Sequence, residues 1–199
     1  MRHRFVAVYV LDLPIGPGRR LLGWNNGINR QIFGGWQISG ITTLMTGAPF
    51  TVISSTITDS SGFNQFLDRP DVAGTGKLPT NYKDPDRAFD RTYFATAPTG
   101  RLGTSGRNQY YGPALANWDF AAAKHFPLPL SEQTRLEFRA DFFNLWNHTN
   151  FSNPQRNQSD ANFGRITQTV GSAVATAVGT TAGPMGGPRL IQLALRLQF

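Results

Sequence analysis

Arg135-Leu136-Glu137-Phe138-Arg139-Ala140-Asp141-Phe142 sets a charged residue at every odd position and an apolar one at every even position. A repeat of two is the side-chain repeat of a β-strand, whose successive residues point to opposite faces. A helix would carry these charges round onto the apolar side within a turn or two. The stretch, extended from Thr134 to Trp146, therefore reads as a strand with one face of Leu136, Phe138, Ala140 and Phe142. The other face is Arg135, Glu137, Arg139 and Asp141.

Four more segments alternate in the same way. From Arg4 to Leu13, the face of Phe5, Ala7, Tyr9, Leu11 and Leu13 opposes Arg4, Val6, Val8, Val10 and Asp12. From about Gly35 to Val52, Trp36, Ile38, Gly40, Thr42 and Leu44 oppose Gln37, Ser39, Ile41, Thr43 and Met45. From Asn117 to Phe126, Trp118, Phe120, Ala122 and Phe126 oppose Asn117, Asp119, Ala121, Ala123 and His125. From Arg189 to Phe199, Ile191, Leu193, Leu195, Leu197 and Phe199 oppose Leu190, Gln192, Ala194, Arg196 and Gln198.

Alternation alone fits two environments. In a soluble sandwich the apolar face meets a second sheet, and in a transmembrane barrel it meets lipid while the polar face lines the lumen. The connections separate them. Pro14-Ile15-Gly16-Pro17-Gly18 turns the chain after the first segment, and Pro127 to Gln133 joins the third to the fourth. Ser54–Ala116 and Asn147–Pro188 are long and rich in Gly, Pro, Asn, Asp, Ser and Thr. If Phe199 lies at the periplasmic side, both long connections fall outside and the short ones fall in the periplasm. Outer-membrane barrels have that asymmetry. Trp36, Trp118, Phe126, Trp146 and Phe199 stand near segment ends, where interfacial girdles place aromatics. The Gly171–Gly187 stretch, low in complexity, reads as a mobile loop tip.

Composition agrees with a turn-rich β protein. Gly 21 and Pro 13 are high for a helical chain, and Phe 15 dominates the aromatics. The 199 residues suggest one domain. Cys 0 excludes disulfides, thiolate zinc sites and a cysteine nucleophile. The net charge of +7 is spread singly or in pairs such as Arg19-Arg20, with no basic stripe interleaved with aromatics, which argues against a nucleic-acid partner. The basic start Met1-Arg2-His3-Arg4 leads into an apolar run interrupted by Asp12 and Pro14, so the stretch does not read as a secretory signal. No run of about 18 apolar residues exists, but strands of about 9–11 residues cross a bilayer without one.

Longer motifs carry a resemblance. Gly106-Arg107-Asn108, Tyr111-Gly112-Pro113 and Asn117-Trp118-Asp119 occur in that order, followed by Glu137-Phe138-Arg139-Ala140-Asp141-Phe142-Phe143-Asn144-Leu145-Trp146-Asn147-His148. Phe163-Gly164-Arg165-Ile166-Thr167 and Pro188-Arg189 then precede Ile191-Gln192-Leu193-Ala194-Leu195. Earlier in the chain, His3-Arg4-Phe5-Val6 before Asp12-Leu13-Pro14, Gly34-Gly35-Trp36-Gln37-Ile38-Ser39-Gly40 and Gly47-Ala48-Pro49-Phe50 fit as well. Over nearly the whole chain this resembles the carboxyl-terminal β-barrel of TonB-dependent receptors. The subgroup it looks most like is the Oar-like one, which has a carboxypeptidase-regulatory-like amino-terminal domain.

The resemblance implies a barrel of about 22 strands around a plug. Residues 1–199 are then expected to be a carboxyl-terminal section without the plug domain, since five strands close no such barrel. It also implies that Phe199 is the terminal aromatic read by the barrel-assembly machinery. The implied partners are the remainder of the barrel and its plug, outer-membrane lipid, a bulky solute, and an inner-membrane energy-coupling protein reached through the missing amino-terminal part.

The residues offer little else chemically. His3, His125 and His148 stand far apart in no metal-binding pattern, and Gly16-Pro17-Gly18-Arg19-Arg20 is a turn with no phosphate-loop context. Asp59, Asp68, Asp71, Asp84, Asp86 and Asp90 lack calcium-loop spacing and read as solvated loop carboxylates. Asn147-His148-Thr149, Asn150-Phe151-Ser152 and Asn157-Gln158-Ser159 match glycosylation sequons, which carry no meaning in a bacterial outer membrane. No catalytic residue, metal site or cofactor is expected, and the chain does not read as an enzyme.

The charges expected to face the lumen are Arg4, Asp12, Asp119, Arg135, Glu137, Arg139, Asp141 and Arg196. They read first as cross-strand pairs that stabilise the wall, and second as a lining that meets a plug or an anionic ligand. The expected fold is an all-β, antiparallel, partial outer-membrane barrel, and the expected function is receptor-mediated uptake. The alternatives are an adhesive or structural surface protein and a soluble β-sandwich module.

Overall fold

In the computed structural model, residues 2–16, 32–54, 68–127, 134–170 and 186–199 are described. Nine strands are found among them. They are β1 (Arg4–Asp12), β2 (Trp36–Met45), β3 (Pro49–Phe50), β4 (Asp71–Val72), β5 (Phe94–Ala95), β6 (Tyr110–Tyr111), β7 (Leu115–Pro127), β8 (Arg135–Phe143) and β9 (Leu190–Gln198). The chain divides into two compact units. Pro17-Gly18-Arg19-Arg20 of the turn that begins at Gly16, most of Pro127–Gln133, Asp59 and most of Gly171–Gly187 lie outside the described residues.

The first unit spans Phe5–Leu44, Ala116–Thr149 and Thr180–Phe199. It is built on one five-stranded sheet in the order β1-β2-β7-β8-β9, a meander in which chain neighbours are sheet neighbours. β7 and β8 pair antiparallel from Phe120↔Phe142 to Pro127↔Arg135. β8 and β9 pair antiparallel from Phe143↔Leu190 to Arg135↔Gln198. Valines at 6, 8 and 10 favour the extended backbone of β1. The edges are not joined, so the sheet is open and antiparallel.

The four long strands after the first are bounded differently from the alternation. The second strand stops at Met45 rather than Val52. Pro49 has no N–H to give a ladder, and Gly47 lies so close to Gly112 that an added Cβ would sit 1.8 Å from its carbonyl oxygen. The chain turns there, and Pro49–Phe50 pairs instead with Tyr110–Tyr111. The third strand is longer than read, Leu115–Pro127. The fourth ends at Phe143 rather than Trp146, because Asn144 and Asn147 both take left-handed backbone, with φ of 53°. Asparagine tolerates that region better than most residues. The last strand is Leu190–Gln198, close to its expected span.

Asn144 closes this end of the sheet. Its side-chain amide donates to the carbonyls of His148 (2.9 Å) and Gly187 (2.7 Å), and its Oδ1 accepts from His148 N–H (2.9 Å). Asn147 Oδ1 accepts from Arg189 N–H (2.9 Å), tying the start of the last strand to the end of the fourth. The Asn-Leu-Trp-Asn-His portion of the motif is thus a lock on the connection between β8 and β9.

The second unit spans Met1–Arg4, Met45–Leu115 and Asn150–Gly179. Most of what the sequence presents as two polar loops folds here around an aromatic core. Phe50, Val52, Leu78, Phe89, Tyr93, Phe94, Tyr110 and Phe163 are buried together, with Val72 against them. Phe89 meets Phe163 edge-on at 5.2 Å and Phe94 at 5.8 Å between ring centres. Edge-to-face packing of this kind adds to simple burial. Two two-stranded ladders, β3 with β6 and β4 with β5, fix the core residues in place. Ser105, fully buried, shares a hydrogen bond with the Tyr110 hydroxyl (3.2 Å).

Candidate functional site

Register decides which charges share a face of the sheet. Glu137 stands between His125 of β7 and Arg196 of β9, Arg139 between Ala123 and Ala194, and Asp141 between Ala121 and Gln192. Arg135 stands between Pro127 and Gln198. All lie on one face, with Asp119 two residues before Ala121. On the other face, Phe120, Phe142 and Ile191 form one row, and Phe126, Leu136 and Leu197 another. Trp36 packs by Lys124 of the apolar face, so Gln37 belongs to the charged face; its amide donates to Asp12 (2.8 Å). Alternation then puts Arg4 on that face too, at the opposite end of β1.

The eight charges do not form one cluster. Arg139 pairs with Asp141 two residues along its own strand, at 2.9 Å, and Glu137 and Arg196 are neighbours in register. Asp119 is engaged locally, accepting the Asn144 N–H (3.0 Å) at the strand-end lock. Asp12 and Arg4 belong to the far edge strand, with β2 between them and the rest. Such pairs brace a wall. Phe199 follows the last strand and is 95% exposed.

Lys124 breaks the apolar face, and the alternation passed over it. It is 4% exposed. Its ammonium donates to the carbonyls of Ile32 (2.9 Å) and Gly34 (2.7 Å) and lies over the rings of Trp36 (5.1 Å) and Phe126 (4.9 Å). A cation on a lipid-facing side is tolerable when its stem runs to the strand end and its charge is satisfied there. The signal in the sequence was a lysine between Ala122 and Phe126, beside an aromatic at each strand end.

The second unit carries a groove of about 930 Å³. Its frame is backbone: Asp90 N–H donates to Pro79 O (3.1 Å), Asn81 N–H to Ala88 O (2.9 Å) and Ala88 N–H to Gly164 O (3.0 Å). Gly164 has φ of 76°, and the Arg91 side chain lies 3.2 Å from where a Cβ would stand. The acidic walls are already committed. Asp84 accepts from Asp86 N–H (3.1 Å), and Asp90 accepts from Thr92 N–H (2.9 Å) and its hydroxyl (2.7 Å), each capping a single 3₁₀ turn. The Thr92 hydroxyl, then its N–H, hold the Asp90 carboxyl below its ordinary value. Asp86 pairs with Arg165. Arg87 and Arg91, also on the groove, have no ion-pair partner among the described residues.

Elsewhere in this unit Asp71 forms a two-pronged pair with Arg101 (2.6 and 2.8 Å) and accepts from Thr104 N–H (3.0 Å). These bonds, led by the guanidinium, pull its carboxyl down to about 2. Of the aspartates read as solvated, Asp86 and Asp90 are exposed, Asp71 and Asp84 are partly covered, all four hold a partner within the unit, and Asp68 is buried. No three of His, Cys, Asp and Glu converge on a metal-sized point among the described residues.

A family model described as an outer membrane beta barrel domain matches residues 1–192. No curated protein and no solved structure matches the chain. An open antiparallel sheet with an exposed apolar face and a charged face is the wall that such a family requires. The chain belongs to the outer membrane beta barrel domain family, and its place is the bacterial outer membrane.

Proposed function

We propose that this chain is a carboxyl-terminal wall section of a TonB-dependent receptor of the Oar-like group, which takes up a bulky solute. The observation that carries the reading is the five-stranded meander, open at both edges, with charges gathered on one face and bare apolar side chains on the other. Its long connections leave from one end of the strands, as extracellular loops do. The ordered family motifs along the chain support the receptor assignment over a generic barrel. On this reading the partners are the rest of the barrel, a plug, outer-membrane lipid, the solute and an inner-membrane energy-coupling protein. The wall does no covalent chemistry. The loop unit offers the solute its first surface, and the plug opens on energy delivered from the inner membrane.

The test compares three strains: the parent, one lacking this gene and one lacking the coupling protein. Spent medium from each is profiled for high-mass solutes. Transport predicts that at least one solute is depleted by the parent and spared by both mutants. If depletion is the same in all three while cells lacking the gene lose attachment, the protein is an adhesive surface structure instead.

A further inference from the structure

Arg87 and Arg91 stand exposed on the groove of the loop unit, and no ion pair or hydrogen bond holds either guanidinium among the described residues. Their backbone, by contrast, is fixed. Arg87 N–H donates to Asp84 O (3.2 Å), Ala88 N–H to Gly164 O (3.0 Å) and Ile166 N–H to Pro85 O (2.7 Å). The Arg91 stem runs over Gly164, with its Cγ 3.2 Å from where a Cβ would stand. Two planar forks on a prepared backbone are a receptor for an oxyanion, above all a carboxylate or phosphate. Little backbone order remains to be gained when it binds.

The rest of the groove narrows the ligand further. Arg87, Arg91 and Arg165 face Asp84, Asp86 and Asp90 along its walls, so the formal charges cancel. A bare polyanion would meet three carboxylates and offer them no proton. Asp84 and Asp90 each spend Oδ1 on their own turns, and Oδ2 of each accepts nothing among the described residues. The groove therefore suits a molecule that carries a carboxylate and hydroxyl donors close together. It suits a peptide less. Peptides are commonly captured through main-chain bonds, whereas the groove's own backbone is paired internally, Asp90 N–H on Pro79 O and Asn81 N–H on Ala88 O.

A second hollow, of about 270 Å³, adjoins the groove at Thr80, which lines both. Tyr82, Tyr93, Tyr110 and Tyr111 form its walls. Their hydroxyls are engaged within the protein: Tyr82 and Tyr93 donate to the carbonyls of Tyr111 and Gly76, Tyr110 meets Ser105, and Tyr111 accepts from Arg2. What this hollow offers a ligand is ring surface, which takes the apolar C–H side of a sugar as it takes other apolar groups. We propose that the groove and this hollow together bind an acidic oligosaccharide of the uronic-acid class. Its carboxylate lies on Arg87 and Arg91, its hydroxyls donate to Asp84 and Asp90, and a neighbouring sugar ring packs on the tyrosines. The proposal names the solute class for the uptake reading and rests on that reading for the ligand's fate, though not for its binding.

Titration calorimetry on the full protein, purified from outer membranes in detergent, tests it with three probes: oligogalacturonate, the methyl ester of the same oligomer, and polyglutamate. Oligogalacturonate should bind. Esterification, which removes the charge and keeps the rings, should weaken binding about tenfold or more, and so should Arg87→Gln with Arg91→Gln. Arg107→Gln, at an exposed arginine of the same unit, should leave it unchanged, and unaltered tyrosine near-ultraviolet dichroism shows that the variants fold. Absence of oligogalacturonate binding, equal binding of the ester, or equal binding in the double variant each overturn the proposal. Polyglutamate binding as tightly as the sugar overturns it too, since an acidic peptide or charge alone would then suffice. These outcomes are separate from the fate of the uptake reading. Sugar binding without coupled depletion from the medium makes the site an adhesive one, whereas coupled depletion without sugar binding leaves uptake standing and removes this ligand.

Discussion

Leu193 in the sheet is 66% exposed, whereas Phe89 in the loop unit is 3% exposed. Both are large apolar side chains, and the difference lies in the solvent each unit is made for. The sheet turns a row of leucines outward and keeps its charges on the opposite face, a pattern that is stable where the outside is hydrocarbon. The loop unit turns aromatic rings inward and leaves arginines and aspartates outside, the ordinary solution in water. One chain thus switches between two rules of burial, at Met45 and Leu115 and again around Asn150. Only the loop unit draws on the hydrophobic effect for its own cohesion.

The comparison breaks hardest at the aromatic core. Phe89→Ala removes a ring that touches Phe50, Phe94 and Phe163, and a loss of about 3–5 kcal/mol in the loop unit is expected. The loop unit contains no tryptophan, whereas Trp36, Trp118 and Trp146 belong to the sheet. Denaturation of the intact barrel in vesicles therefore separates the units. Tyrosine near-ultraviolet dichroism should melt early while tryptophan emission holds. If both signals shift together, the two units do not follow separate rules.

The sheet is sharpened by a pair of neighbouring substitutions. Leu193→Arg puts a charge on the apolar face in the middle of β9, opposite Ala140, and about 2–4 kcal/mol of loss is expected if that face meets lipid. Gln192→Arg puts the same charge one residue earlier, in register with Asp141 on the other face, and stability should change by no more than about 0.5 kcal/mol. Unfolding of the intact barrel from vesicles measures both. Equal effects would mean that the two faces meet the same solvent.

What could be read in advance follows from the range of each signal. Strand existence and face are local properties, so Arg135 to Phe142 gave both without any partner being known. Strand ends depend on contacts far along the chain: Met45 is the last residue of β2 because Gly47 meets Gly112 and Phe50 pairs with Tyr110. The loop core was hidden for the same reason. Phe50, Phe89 and Phe163 are spread singly through polar sequence and show no period, so only folding brings them together. Lys124 was passed over because alternation assigns a residue to a face and is silent about carbonyls that come from Ile32 and Gly34, some 90 positions away.

The smallest effect concerns the water-facing side alone. Asp71 lies at about 2 against an ordinary 3.8, chiefly because Arg101 holds it, so its folded carboxyl binds a proton less readily than the unfolded one. The pair's contribution is therefore complete above pH 3.8 and is lost as pH falls through about 2. Carboxyl NMR of the protein in micelles should find the Asp71 midpoint near 2, and Arg101→Ala should move it up toward 3.8. Because the guanidinium is half exposed, salt should weaken the pair and raise the midpoint as well. The same salt should leave the Leu193→Arg penalty unchanged, since that penalty comes from taking a charge out of water and has no counter-ion to screen. A midpoint that stays near 2 in Arg101→Ala would place the cause in the Thr104 N–H instead, and the loop unit's surface would then be held by its backbone rather than by its ion pairs.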